Sequence, residues 1–205
     1  MSDFLLFFKD IFLQSASIAM MMIFVENAVF SRALDTSSIL YNLRKRHSIG
    51  IFSVILTAIV TASCCIIYVF RQQIEHLSYS YYMKPLIYVA IIGAVYILTL
   101  LFCSLFLKKH EQKIRPMIHL AAFNGAVFGG LLLSHVAKYN IWGQISFGLG
   151  VGIGYALAAY LISIGYERLN SDRIPQSFRG FPITLIYVGI LSLAFYGLIG
   201  HELTV

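Results

Sequence analysis

The sequence predicts an all-α integral membrane fold: six transmembrane helices as two inverted three-helix repeats, with a broken first helix in each half. Three observations carry this prediction. The composition is too apolar for a water-facing surface, six apolar runs of spanning length are joined by short basic loops, and two segments recur at nearly one offset. Of 205 residues, 59% are hydrophobic and 12% charged, against about 45–50% and about 25% in a soluble domain. A mean hydropathy of +0.81 agrees. No stretch has the composition of a separate soluble domain. Residues 1–205 therefore read as one membrane domain, with repeat one at about 1–108 and repeat two at about 109–205.

A spanning helix needs about 20 largely apolar residues. Runs of that kind cover 5–34 (interrupted), 49–70, 86–107, 118–136, 141–164 and 183–199. The tyrosine-rich stretch 78–82 before the third run and Trp142 before the fifth suit an interfacial aromatic belt. Residues 1–4 lack the basic stretch of a cleavable signal, so the first run is expected to be retained.

Orientation follows from the basic residues. Ten lie in the connections after helices one, three and five, and four, Lys9, Arg71, Lys84 and Lys138, lie on the opposite side. This bias places the odd loops in the cytoplasm and both termini outside, as expected of a multi-pass protein of the bacterial inner membrane. It also accounts for the net charge of +6 without a nucleic-acid partner. The stretches 44–47 and 108–113 read as solvated loops near the anionic face of the lipid bilayer.

Internal repetition gives the two halves. Val25-Glu26-Asn27-Ala28-Val29-Phe30 resembles Phe123-Asn124-Gly125-Ala126-Val127-Phe128 at an offset of 98. Leu86-Ile87-Tyr88-Val89-Ala90-Ile91-Ile92 resembles Leu185-Ile186-Tyr187-Val188-Gly189-Ile190-Leu191 at 99. Either pair alone is a match that apolar sequence produces by chance; two pairs at nearly one offset are not. Three helices per half invert the second copy, so equivalent segments meet near the bilayer midplane.

Polar groups at that depth must face protein or water and mark a functional site. Glu26, Asn27, Arg32 and Asn124 are thus the candidates for a midplane polar nucleus or ion path. Glu26 and Arg32 are six residues apart, about 240° net on a continuous helix, so they can pair only across a break. Glu26 as the cap of a half-helix is an alternative role.

Other motifs have simpler readings. The run Gly148-Leu149-Gly150-Val151-Gly152-Ile153-Gly154 has no strand before it, which excludes a dinucleotide loop. Its two overlapping GxxxG spacings point to close helix packing. His119 and His135 read as interfacial or core histidines rather than proton carriers. Cys64, Cys65 and Cys103 lie inside apolar runs without metal-ligand spacing and read as buried thiols. No nucleophile–base constellation and no soluble nucleotide-binding motif is found in the sequence.

The segment Ile164-Gly165-Tyr166-Glu167-Arg168-Leu169, with Ile174-Pro175-Gln176-Ser177-Phe178-Arg179-Gly180 after it, resembles the cytoplasmic loop of the RnfA/NqrE family. The two repeated segments around Asn27 and Asn124 resemble that family's half-helices. The family comprises six-helix membrane subunits of the Rnf and Na⁺-translocating NADH:quinone reductase complexes. The resemblance implies a subunit of an ion-translocating electron-transport complex. It also implies a homologous membrane subunit of opposite topology, or a second copy, as neighbour, and redox subunits as further partners. Glu167, Arg168, Phe178, Arg179 and Gly180 would order the loop or dock a partner.

In the family, each half-helix region supplies one cysteine to an intramembrane [2Fe–2S] cluster. Here those positions fall on Ser37 and Gly125, with Asp35 and Ser38 replacing a neighbouring glycine and proline. A hydroxyl is a poor substitute for a thiolate, and glycine has no ligand to offer. No cofactor is predicted in this chain, and the family's cluster is expected to be absent. Two readings from other classes stay open: a cluster-free small transporter or channel with a midplane polar site, and an assembly scaffold.

Overall fold

The computed structural model describes residues 2–44, 49–76, 80–108, 111–169, 171 and 174–199. Lys45, Arg46, Lys109 and Arg173, counted in the charge bias, lie outside them, as do Ser78 and Tyr79 of the aromatic stretch. Among the described residues the chain forms α-helices and one π-helical turn. The order is α1 (Ser2–Met20), the π turn (Met21–Val25), α2 (Thr36–Arg44), α3 (Ile49–Glu75), α4 (Ser80–Phe106), α5 (Glu111–Ala122), α6 (Gly125–Ala137), α7 (Ile141–Leu169) and α8 (Phe181–Ile199).

Both runs expected to break do so. The first leaves helical geometry at the π turn, closed by the Glu26 N–H on the Met21 carbonyl at 2.9 Å, and resumes only at Thr36. The second breaks over Phe123 and Asn124, and α5 and α6 meet there at a bend of 47°. Each half thus reads as a broken run followed by two continuous helices. Helices α3, α4 and α7 extend beyond the apolar runs into polar sequence such as 71–75 and 80–84.

Among the described residues three helices are long and apolar enough to cross a membrane, α3, residues Tyr82–Phe106 of α4, and α7, and the bent pair α5 and α6 brings the number to four where it is counted as one span. The remaining two runs fall short for evident reasons. The apolar stretch of α8, Phe181–Gly197, is short, and α1 carries Asp3, Lys9 and Asp10 along its length.

The hub is α7. It touches α1, the π turn, α2, α3, α6 and α8, and its glycines explain how so many elements reach it. Gly148 and Gly152 lie against Thr61 and Thr57 of α3; a Cβ on Gly148 would stand 2.6 Å from the Thr61 Cα. Gly150 and Gly154 lie against Ala19, Met22 and Ile23, where a Cβ would meet the Ala19 carbonyl at 2.8 Å and the Met22 carbonyl at 3.0 Å. Two residues along a helix turn it by about 200°. The two GxxxG pairs therefore serve opposite faces, one for α3 and one for the first broken run, as small residues do where helix backbones approach closely in lipid.

Candidate functional site

The site is built where the two breaks meet α7. After the π turn the chain needs a new acceptor for its freed backbone N–H groups, and Asn27 supplies it. Its Oδ1 accepts from the backbone of Val29 (3.0 Å) and Phe30 (3.1 Å), the geometry of a helix N-cap. Its Nδ2 donates back to the Ile23 carbonyl at 2.8 Å and across to the Gly154 carbonyl at 3.0 Å. The side chain is fully buried.

Asn124 does the same work at the second break. Its Oδ1 accepts from Ala126 N at 2.7 Å, which starts α6, and its Nδ2 lies 3.5 Å from the Tyr155 hydroxyl. The sequence repeat pairs Glu26 with Asn124, whereas capping pairs Asn27 with Asn124, one residue out of that register. Asn27, not Glu26, fills the capping role at the first break.

The structure separates the four polar candidates into two places. Asn27 and Asn124 reach neighbouring residues of α7. Glu26 and Arg32 stand on another flank, facing α8. Because the backbone between them is not helical, they pair directly: Arg32 Nε donates to Glu26 Oε2 at 2.8 Å, and its Nη2 contacts the same oxygen. The pair is part exposed, with side-chain exposures of 28% for Glu26 and 44% for Arg32. It opens onto a cleft of about 380 Å³ lined also by Ser31 and by Gly189, Ser192 and Tyr196 of α8. Phe30, stacked on Phe195 with centroids 4.5 Å apart, holds the break against α8.

A fifth polar residue, Asp35, belongs to the site and was not among the candidates. It stands just before α2 with φ of +62°, a region in which aspartate is tolerated better than most side chains. Its Oδ1 accepts from the Ser38 hydroxyl at 2.6 Å. The carboxylate faces the Gly125 backbone N–H, the Tyr155 hydroxyl and the Asn124 amide. A Cβ on Gly125 would lie 3.7 Å from that of Asp35. The stretch Asp35-Thr36-Ser37-Ser38 carries the signal that could have found it, an acidic residue immediately ahead of a helix start. Tyr155, buried in α7, gave no sequence signal.

The positions where the resemblance places cysteines are Ser37, exposed at the start of α2, and Gly125, at the start of α6. Ser37 lines a cleft with Tyr166, Phe181 and Thr184, whereas Asp35, Ser38, Asn124 and Tyr155 gather by Gly125, a donor set of one carboxylate with hydroxyls and an amide. It does not fit a cluster held by thiolates. Cys64 and Cys65 sit on α3 and Cys103 on α4. Among the described residues no three His, Cys, Asp or Glu side chains converge as a metal site.

The loop motif is ordered by its own backbone. Glu167 and Arg168 end α7 and are exposed. Arg179 Nη2 donates to the Ile174 carbonyl at 3.2 Å, and the Phe178 carbonyl accepts from Ile183 N at 3.1 Å. Gly180, with φ of +89°, takes the left-handed turn into α8. Of the histidines, the Nδ1 of His119 lies 2.6 Å from the Tyr96 hydroxyl, and His135 is buried beside the Tyr88 ring.

Residues 15–201 match the family model described as Rnf-Nqr subunit, membrane protein. The chain is 30% identical over 186 residues to a component of the Na⁺-translocating ferredoxin:NAD⁺ oxidoreductase complex of Acetobacterium woodii, covering 88% of this chain and 94% of that protein. It is 25% identical to one subunit of the Na⁺-translocating NADH-quinone reductase of Tolumonas auensis, again over 88% and 94%. The corresponding reductase subunit from a Psychrobacter species is 32% identical, over 56% of each chain.

Proposed function

Since the chain belongs to the Rnf-Nqr family of membrane subunits, we propose that it is a membrane subunit of an Rnf- or Nqr-like ion-translocating electron-transport complex, without a [2Fe–2S] cluster of its own. The relatives from Acetobacterium and Tolumonas are named as subunits of such complexes. We further propose that its spans number six, as two inverted repeats within one domain divided near residue 108. The broken-run, helix, helix pattern in each half and the shared capping by Asn27 and Asn124 support that reading.

The observation that carries the functional reading is the convergence of both breaks on α7. The place where relatives by resemblance hold a cluster is kept as architecture but given different chemistry. Asn27 ties the first break to α7, Asn124 starts α6 and Asp35 faces that start from just before α2, and Glu26 with Arg32 forms a charged pair for an ion path beside α8. The loop of Glu167, Arg168, Phe178, Arg179 and Gly180 presents a docking edge to redox subunits. A homologous membrane subunit of opposite topology, or a second copy, packs beside it in the membrane. The protein resides in the bacterial inner membrane with both termini outside.

The test is isolation of the tagged chain from its native membrane in mild detergent. Co-purification with flavin- or NADH-binding subunits, and no 2Fe–2S signal from the chain alone, is the expected result. A chain that purifies alone and drives ion uptake in liposomes would overturn the assignment in favour of an independent transporter.

A further inference from the structure

The outer surface of α3 carries two apolar grooves that share one mouth. One, of about 830 Å³, runs between α3 and α7 and is floored by Thr57, Thr61 and Gly152. The other, of about 600 Å³, runs between α3, α4 and α5 past Phe102 and Leu107. Gly50, Val54 and Ala58 line both, and Val54, 70% exposed, is the ridge that divides them. From Gly50 to Cys65 the first groove follows α3 for about 22 Å at 1.5 Å per residue, more than the ~15 Å depth of one leaflet's hydrocarbon.

The charge lies at the shared mouth. Gly50 is in the first turn of α3. At the same end, Leu107 and Ile114 line the second groove, flanked by the exposed Lys108, Lys113 and Arg115. Glu111 is the one acidic residue of that stretch. Among the described residues none of those three cations is in an ion pair. Two apolar channels, the longer of leaflet depth, that part around a single side chain beside Lys108, Lys113 and Arg115 match one chemistry: two hydrocarbon chains joined at a negatively charged headgroup.

We propose that these grooves and the basic residues at their mouth hold one two-chain anionic phospholipid, its chains passing on either side of Val54. Basic side chains between transmembrane helices capture anionic headgroups electrostatically, and the grooves supply the selectivity that a flat lipid-facing surface lacks. The site is independent of the complex assignment, since it uses no residue of the two breaks.

Native mass spectrometry of the full chain in mild detergent, offered phosphatidylglycerol or phosphatidylcholine, tests it. The expected result is one retained phosphatidylglycerol per chain, favoured about tenfold or more over phosphatidylcholine. Gly50→Phe should abolish retention, and because a Cβ there meets no atom within 4 Å the melting temperature should shift little. Replacing Lys108, Lys113 and Arg115 by Gln should remove the headgroup preference and leave the fold intact. Equal retention of the two lipids by the unmodified chain, or undiminished retention by Gly50→Phe, would overturn the proposal. So would a Gly50→Phe chain that instead loses contact with a second protein, which would assign the grooves to a protein neighbour.

Discussion

Asn27 and Asn124 lie 97 residues apart in sequence, and their side-chain amides point at adjacent residues of α7, the Gly154 carbonyl at 3.0 Å and the Tyr155 hydroxyl at 3.5 Å. Each also caps the backbone that restarts after its own break. One residue type thus does two things at two places: it replaces the hydrogen bonds that a broken helix forfeits, and it ties the break to the hub.

The two positions are not equal in cost. Asn27→Ala removes an acceptor shared by two backbone N–H groups and two donors to buried carbonyls. A lost cap costs about 1 kcal/mol, and each buried group left without a partner adds about 1–3. The expected destabilisation is about 2–4 kcal/mol, while Asn124→Ala, with one short bond and one long one, loses about 1. Denaturant unfolding of the detergent-solubilised protein would separate them, and equal losses would contradict the hub geometry.

The glycines of α7 give a sharper spatial test. At Gly152 a Cβ would overlap the Thr57 side chain of α3, whereas at Gly189 of α8 it would meet nothing within 4 Å. Gly152→Ala should therefore cost about 1–3 kcal/mol through overpacking. Gly189→Ala should be neutral or stabilise by up to about 1 kcal/mol through helix propensity. Paired thermal melts of the two variants check this.

The helices were legible in the sequence because lipid imposes apolar length, and the breaks because Glu26, Asn27 and the glycines after Asn124 violate it. Which polar residue turns inward was not legible. Periodicity assigns faces only while the helix is continuous, and at Val25 it stops, so Glu26 and Asn27 could not be told apart. The direct Glu26–Arg32 pair was foreseeable only as a consequence of a break. Asp35 was noticed as a replaced glycine, yet its contacts with the second break come from tertiary packing over roughly ninety residues of chain, which local pattern does not encode. The GxxxG spacings gave close packing correctly, but not that their two registers serve opposite partners.

Gly180 takes φ of +89° to turn the loop into α8. Gly180→Ala has open space for its Cβ but must hold an unfavourable backbone, at about 1–2 kcal/mol. The loop containing Phe178 and Arg179 should loosen first. Limited proteolysis after residues 174–180 should accelerate in this variant while the transmembrane melting profile shifts little.

Glu26→Gln keeps the shape of the first break and removes the charge that balances Arg32. Because the pair is part exposed to the cleft beside α8, the fold should change less than with Asn27→Ala. If the pair serves an ion path, translocation by the assembled complex should fall while assembly persists. The reciprocal Arg32→Gln should fall with it, and a double variant should be no worse than either single one. Full translocation in Glu26→Gln would remove the pair from the path.

The resemblance places cysteines at Ser37 and Gly125, and whether a thiol fits there is a question of room. A Cβ on Gly125 would lie 3.7 Å from the Asp35 Cβ and 3.8 Å from its backbone nitrogen, ordinary contact distances, and Ser37 is exposed. Room for a Cβ therefore exists at Gly125, and Ser37 already carries one at an exposed position. The chain carrying Ser37→Cys and Gly125→Cys should fold with a melting temperature within a few degrees of the parent, since surface substitutions stay within about 0.5 kcal/mol. Both new thiols should react with maleimide in detergent, while buried Cys64 should resist. Two thiols are half of a four-thiolate set, so the variant alone should not assemble a [2Fe–2S] centre under iron and sulfide reconstitution. A large loss of stability on Gly125→Cys would show instead that glycine is required there by packing. The exchange of cysteine for glycine would then be a change of architecture at the second break and not only the removal of a ligand.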